Sequence, residues 1–143
     1  MKVGLKIKRF IRLSIRQKVL LLTVLLISLY SYFLFRFFKH SAKFGYADKE
    51  FISHKTIDMV LVKDISFTIS VVKNYTPWEN VCRHQAYQAM LLCRLYQIPY
   101  QIFVGFKKSD EGKIEGHAWM IVQGEIITGF CKVEEFTIQA IYS

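Results

Sequence analysis

Cys82 and His117 are the residues of this chain most able to do covalent chemistry. A thiol is a strong nucleophile only as the thiolate, and the start of a helix favours that anion. Three cysteines are present, Cys82, Cys93 and Cys131. Asn80 suits the N-cap of a helix predicted from about Val81 to Tyr96, which puts Cys82 in its first turn. Cys93 falls near the end of the same helix, and Cys131 follows a strand end. A lone cysteine on an apolar stripe is more often a small core residue. His117 changes that balance, because a thiol beside an imidazole makes the ion pair needed for acyl transfer from an amide or ester. His40, His54 and His84 have no comparable setting. His84 lies two residues from Cys82 on the same helix and points elsewhere.

The elements around the pair can position it. Cys82, Ala86, Ala89 and Cys93 fall on one helical stripe whose small side chains allow close approach to a sheet. Pro99 closes that segment. Tyr100 to Phe106 is a nearly continuous apolar run, as expected of a central strand. Ser109 to Gly112 is a turn, Ile114 to Val122 a second strand, Gln123-Gly124 a second turn, and Glu125 to Phe130 a third strand. Val133 to Tyr142 reads as a further strand or a short helix. Alternation along the second strand sets Glu115, His117, Trp119 and Ile121 on one face. A two-residue loop at Gln123-Gly124 pairs Trp119 with Thr128 and makes Thr128 the side chain best placed to orient His117; a longer loop puts Gly129 there instead. A backbone carbonyl or water can also fill that role. No Asp occurs in residues 118–143 to supply the usual acidic third member. Trp78 stands near the nucleophile as either a groove wall or an anchor for the helix start. Trp119 is either a site wall or core. Glu79 and Arg83 read as solvated helix-end charges.

Upstream, Ile57 to Lys73 follows a helical rhythm, and Tyr75 to Trp78 breaks it at Pro77. Residues 46–55 are polar and resemble a linker. The outline is helices followed by a small antiparallel sheet, an α+β fold. The 143 residues suit one modest domain, 46–143, preceded by a distinct segment, 1–45.

That first segment carries the charge. Residues 1–47 hold ten Lys and Arg and no acid, whereas 48–143 hold ten against eleven, so +10 and −1 make the net +9. A basic end beside an apolar run points to an anionic membrane surface rather than nucleic acid. Val19 to Phe35 is an uncharged run of seventeen residues. Ser14 and Gln17 have capping-box spacing, so a helix starts near Ile15 and runs to about Phe38. A membrane-spanning anchor and a hydrophobic helix lying on the bilayer or on the domain compete evenly. A signal peptide fits less well, for no small-x-small cleavage site follows. If the segment spans, its basic flank keeps the N-terminus inside and puts the thiol domain outside the cytoplasm, an awkward place for a free thiol. A cytoplasmic, membrane-associated protein is therefore favoured over a single-pass one through about Val19–Phe38. The cysteine spacings suit neither zinc nor a disulfide framework.

The segment Thr76-Pro77-Trp78-Glu79-Asn80-Val81-Cys82 resembles the Pro-Trp…Cys segment of the stand-alone peptidase half of lasso-peptide B proteins, within the transglutaminase-like superfamily. Ala86, Ala89, Leu91, Leu92, Ile98-Pro99, Val104-Gly105, Gly112-Lys113, His117-Ala118-Trp119 and Ile127-Thr128-Gly129 extend the likeness over about residues 57–142. The resemblance implies a papain-related fold and cleavage of a precursor peptide between leader and core. It makes Cys82 the nucleophile and His117 the general base and acid, with backbone N–H groups near the helix start holding the oxyanion. It also implies a separate leader-binding protein and an amidotransferase-like macrocyclase as partners. No nucleotide site is legible, so no cofactor is expected here and ATP belongs to the cyclase. The absent Asp motivates an alternative, a catalytically impaired transglutaminase-like module that binds peptide or scaffolds a membrane-associated assembly.

Overall fold

In the computed structural model, described over residues 10–38, 44 and 56–143, three helices pack on one side of a four-stranded antiparallel sheet. The basic residues before Phe10 and the linker expected at 46–55 lie outside the described residues.

Helix α1 spans Ile15–Phe37. Ser14 and Gln17 form the anticipated capping box, each side chain satisfying the other's backbone N–H at 3.1 Å. One stripe of α1, namely Leu20, Val24, Ser28, Ser31, Leu34 and Phe35, is buried. The stripe packs on α2 (Met59–Tyr75) and α3 (Cys82–Leu95). Near its start, Arg16 pairs with Asp64 at 2.6 Å, and Gln17 donates to the same carboxylate at 2.8 Å. The opposite face, with Leu22, Leu26, Tyr30 and Phe33, is exposed. Among the described residues, α1 is the one helix long and apolar enough to cross a membrane.

Helix α2 starts two residues later than its rhythm suggested, because Asp58 caps it by accepting from the N–H groups of Val60 and Leu61. Its apolar stripe Val62, Ile65, Ile69 and Val72 enters the core. In α3, Ala86, Ala89 and Cys93 are fully buried, as their stripe required, and Cys93 Sγ lies 4.0 Å from Met120 Sδ on the sheet. Burial pushes the Cys93 thiol up to about 12.

The sheet has the order β3-β2-β1-β4. Its strands are β1 (Gln101–Lys108), β2 (Ile114–Val122), β3 (Glu125–Thr128) and β4 (Thr137–Tyr142). The last segment is thus a strand entered through a single 3-10 turn at Val133–Glu135. Ile102, Ala118, Met120 and Val122 join the helices in the core. On the other face Phe103 stacks on Trp119 at 5.7 Å between ring centroids, with Phe136 beside them.

Three local expectations change. Val81, not Asn80, is the N-cap of α3; Asn80 turns inward and is buried. The third strand stops at Thr128, because Gly129 takes φ +66° and leaves the extended region. The third change is in register. The loop is the two-residue hairpin, with Gln123 and Gly124 both at positive φ and Val122 opposite Glu125. A bulge between Met120 and Ile121 then slips the ladder, so Thr128 faces Met120 and not Trp119.

Candidate active site

The first turn of α3, the inner side of α2 and the end of β3 enclose a cavity of about 360 Å³. Cys82 and His117 both line it, as do Asn80, Gln85, Thr128 and Gly129. Cys82 is half-buried, a free thiol at the first position of its helix. No side chain caps this helix, in contrast to α1 and α2. The His84 N–H already donates to the Val81 carbonyl at 2.9 Å, so the N–H groups of Cys82 and Arg83 are the ones left to whatever anion enters the cavity.

His117 arrives from the strand face it shares with Trp119. Its ring stacks on Phe136 at 5.3 Å and lies nearly parallel to Trp119 at 6.2 Å. The bulge that displaces Thr128 brings the Gly129 carbonyl to 2.9 Å from His117 Nε2. A carbonyl can only accept, so Nε2 carries the hydrogen, and Nδ1 is the nitrogen free to take a proton. The orienting group is thus a backbone carbonyl rather than Thr128, whose buried Oγ1 has no hydrogen-bond partner. No acidic residue is needed for this arrangement. The signal was present in the sequence as a glycine one residue past the strand, but only the bulge gives it meaning.

Gly129 is obligatory at this position. A Cβ there meets the Ala118 carbonyl oxygen at 2.1 Å and Trp119 Cα at 2.9 Å. The close approach seats the end of β3 on β2 directly beside His117. Ser66 on α2 holds the same strand from the other side, donating to the Ile127 carbonyl at 2.7 Å.

A family model of the transglutaminase-like superfamily matches residues 32–140. The chain belongs to this superfamily. No curated protein and no solved structure matches it. The transglutaminase-like superfamily includes cysteine peptidases, and a thiol at a helix start facing one cavity with an oriented imidazole is the equipment such chemistry requires.

The remaining sequence candidates sort by position. Trp119 is fully buried and serves as the wall behind the His117 ring. Trp78 is half-buried in the segment leading to α3. Glu79 and Arg83 form an exposed pair at 3.6 Å on the outer side of the helix start. His84 is buried with its ring 4.9 Å from Phe35, and desolvation, aided by the Arg83 charge, holds its pKa below the ordinary histidine value. Cys131 follows the cavity wall; burial and the nearby Cys82 sulfur push its thiol up. Among the described residues, no group of three or more His, Cys, Asp or Glu is arranged to hold a metal ion. Sequence reading missed Asn80 as a cavity residue, because an asparagine two places before a first-turn residue looks like a cap.

Proposed function

We propose that the protein is a cysteine peptidase that removes the leader from a ribosomally made precursor of lasso-peptide type. The observation that carries the acyl-transfer part is the shared cavity of Cys82 and His117, with Nδ1 left free by the Gly129 carbonyl. The choice of substrate rests on the motif set Pro77-Trp78, Cys82 and His117-Ala118-Trp119.

In this reading Cys82 Sγ attacks the scissile carbonyl carbon as its proton passes to His117 Nδ1. The carbonyl π electrons move onto oxygen beside the open α3 N-terminus. The C–N bond then breaks, and the leaving amine takes the proton from His117. Water, deprotonated by the same imidazole, hydrolyses the thioester and restores the thiol. No cofactor enters these steps. A leader-binding protein presents the precursor, and an ATP-using macrocyclase consumes the product. The exposed outer face of α1 rests on a membrane surface, while its inner stripe and the Arg16–Asp64 pair stay on the domain.

The test is reconstitution with a lasso-type precursor and its leader-binding protein, read by mass spectrometry. Leader and core fragments are expected with the intact protein. They should vanish for Cys82→Ala and His117→Ala. Undiminished cleavage by Cys82→Ala would rule the peptidase out.

A further inference from the structure

The cavity holds a polar group that neither the fold nor the Cys82/His117 pair explains. Asn80 is nine-tenths buried, lines the cavity, and its Nδ2 has no partner. A buried amide N–H2 without an acceptor costs about 1–3 kcal/mol, so one is expected to answer to something that enters the site.

The orientation of this amide is fixed by a chain of hydrogen bonds that starts on α1. Ser31 Oγ donates to the Ser28 carbonyl at 2.9 Å, so the same hydroxyl must accept from Gln88 Nε2 at 3.1 Å. The second hydrogen of Gln88 Nε2 goes to Asn80 Oδ1 at 2.9 Å. Asn80 Oδ1 is thereby turned toward α3, and Nδ2 is turned away from it. As arranged, the three bonds leave Gln88 Oε1 and Asn80 Nδ2 unpaired; reversing both amides would turn the Ser31 hydroxyl from the Ser28 carbonyl to Gln88 Oε1 and leave two hydrogen bonds in place of three. The Asn80 backbone is held as well, its carbonyl accepting from Gln85 Nε2 at 2.8 Å. Two residues on stands Cys82, at the one helix start of the three that no side chain caps.

We propose that Asn80 Nδ2 is an oxyanion donor of the Cys82 site, with Gln88 and Ser31 as positioning residues that aim it. The inference rests on the acyl-transfer reading given above. When Cys82 Sγ bonds to a carbonyl carbon, the π pair lands on oxygen, and the proton goes to His117. The Cys82 and Arg83 N–H groups at the start of α3 and the Asn80 amide then share the new negative charge. A preformed donor of this kind costs no reorganisation when the charge develops. Gln88 and Ser31 are fully buried and touch no substrate; they act by denying the amide its other orientation.

The experiment compares two reagents at Cys82, each mapped by peptide mass spectrometry. p-Nitrophenyl acetate acylates the thiol through a tetrahedral oxyanion and releases p-nitrophenolate. Iodoacetamide alkylates it by direct displacement of iodide, with no oxyanion. Asn80→Ala is expected to lose about 100-fold or more in acylation rate, the usual cost of one oxyanion donor, while alkylation changes less than about twofold. Equal acylation by Asn80→Ala and wild type would overturn the proposal. So would a parallel fall in both reactions, which is the signature of a merely structural role. A structure of the wild-type adduct with N-acetyl-alaninal gives a check free of mutation: the hemithioacetal oxygen should sit within hydrogen-bond distance of Nδ2, about 3 Å, and a separation beyond hydrogen bonding would refute it. Failure of the underlying reading looks different. A wild-type Cys82 that iodoacetamide alkylates but the ester never acylates would overturn acyl transfer itself, and the Asn80 role with it.

Discussion

Replacing Gly129 by alanine should disable the site through the backbone alone. The added Cβ would sit 2.1 Å from the Ala118 carbonyl oxygen, where 3.4 Å is ordinary contact. Neither atom belongs to a flexible side chain, so the end of β3 must lift from β2 by about 1 Å. Alanine at φ +66° adds about 1 kcal/mol of left-handed strain. Losing the 2.9 Å bond from His117 Nε2 adds about 1 kcal/mol more. With the broken seating of β3, a destabilisation of about 3 kcal/mol is a fair total, against the 5–15 kcal/mol that holds a domain of this size. That corresponds to a fall of roughly 10 °C in Tm. Catalysis should fall by about 100-fold, the usual effect of a 1 Å misplacement in an assembled site. Calorimetry gives the first quantity. The second is the p-nitrophenyl acetate burst, measured well below the variant's Tm. Thr128→Val is the matched control. The buried Thr128 hydroxyl has no partner, so its loss should cost under about 1 kcal/mol and leave the burst intact. If Gly129→Ala melted and acylated like wild type, or if Thr128→Val were the variant that lost the burst, the assignment of the Gly129 carbonyl as the group orienting His117 would be wrong.

Stability should also depend on pH through His84. Its folded-state pKa is lowered by burial, so the unfolded chain binds the extra proton first, and stability rises with pH across that window. The His84 contribution is complete above the ordinary value near 6.5 and is lost as pH falls through the folded-state value. Melting temperatures measured from pH 7.5 down to 5 should therefore decline, and His84→Gln should flatten the decline; an unchanged slope in the variant would refute the assignment. Thiol mapping at pH 8 should modify the half-exposed Cys82 and Cys131 while Cys93, pushed up to about 12, stays unmodified until the protein unfolds. Early labelling of Cys93 would contradict its place in the core. Flotation with vesicles containing anionic lipid should carry the protein upward, and the double variant Leu22→Glu/Leu26→Glu, on the exposed face of α1, should stay at the bottom. Release of the intact protein by alkaline carbonate is expected of a helix lying on the surface, whereas retention would mean that α1 spans.

What the sequence made legible follows the range of the interactions involved. The α1 start could be read because a capping box is closed within four residues, Ser14 to Gln17. Strand β2 matched at both ends because turn residues bound it, and the Cys82 stripe worked because helical spacing puts small side chains on one face. The pairing of Cys82 with His117 in one cavity needed only those two elements in contact. The misses involve groups whose roles are decided by something distant. The fate of Thr128 hung on a bulge between Met120 and Ile121 that no turn residue announces, and one residue of slip turned its side chain from the His117 face to the Met120 face. Asn80 has the chemistry of a cap, and its local sequence gave no hint that Gln88, eight residues on, and Ser31, on another helix, would claim its carbonyl end.

Helix α1 shows the same limit on a larger scale. By length and composition it is apolar enough to cross a membrane, and residues 15–37 alone do not separate a span from a helix lying on the domain. Its polar residues tell a different story once their partners are known. Arg16 and Gln17 are committed to Asp64, forty-eight and forty-seven residues away, and Ser31 is committed to Gln88, fifty-seven away. Moving α1 into a bilayer as a separate span would strand Asp64 without its cation and Gln88 without its hydroxyl, both inside the domain. Each is a costly loss for a buried polar group. It would also release the Gln88 amide that turns Asn80 toward the cavity. The helix that looks least like part of an enzyme is therefore fastened, through two serines and a glutamine, to the wall of its candidate active site, and membrane association has to use the face of α1 that those bonds leave free.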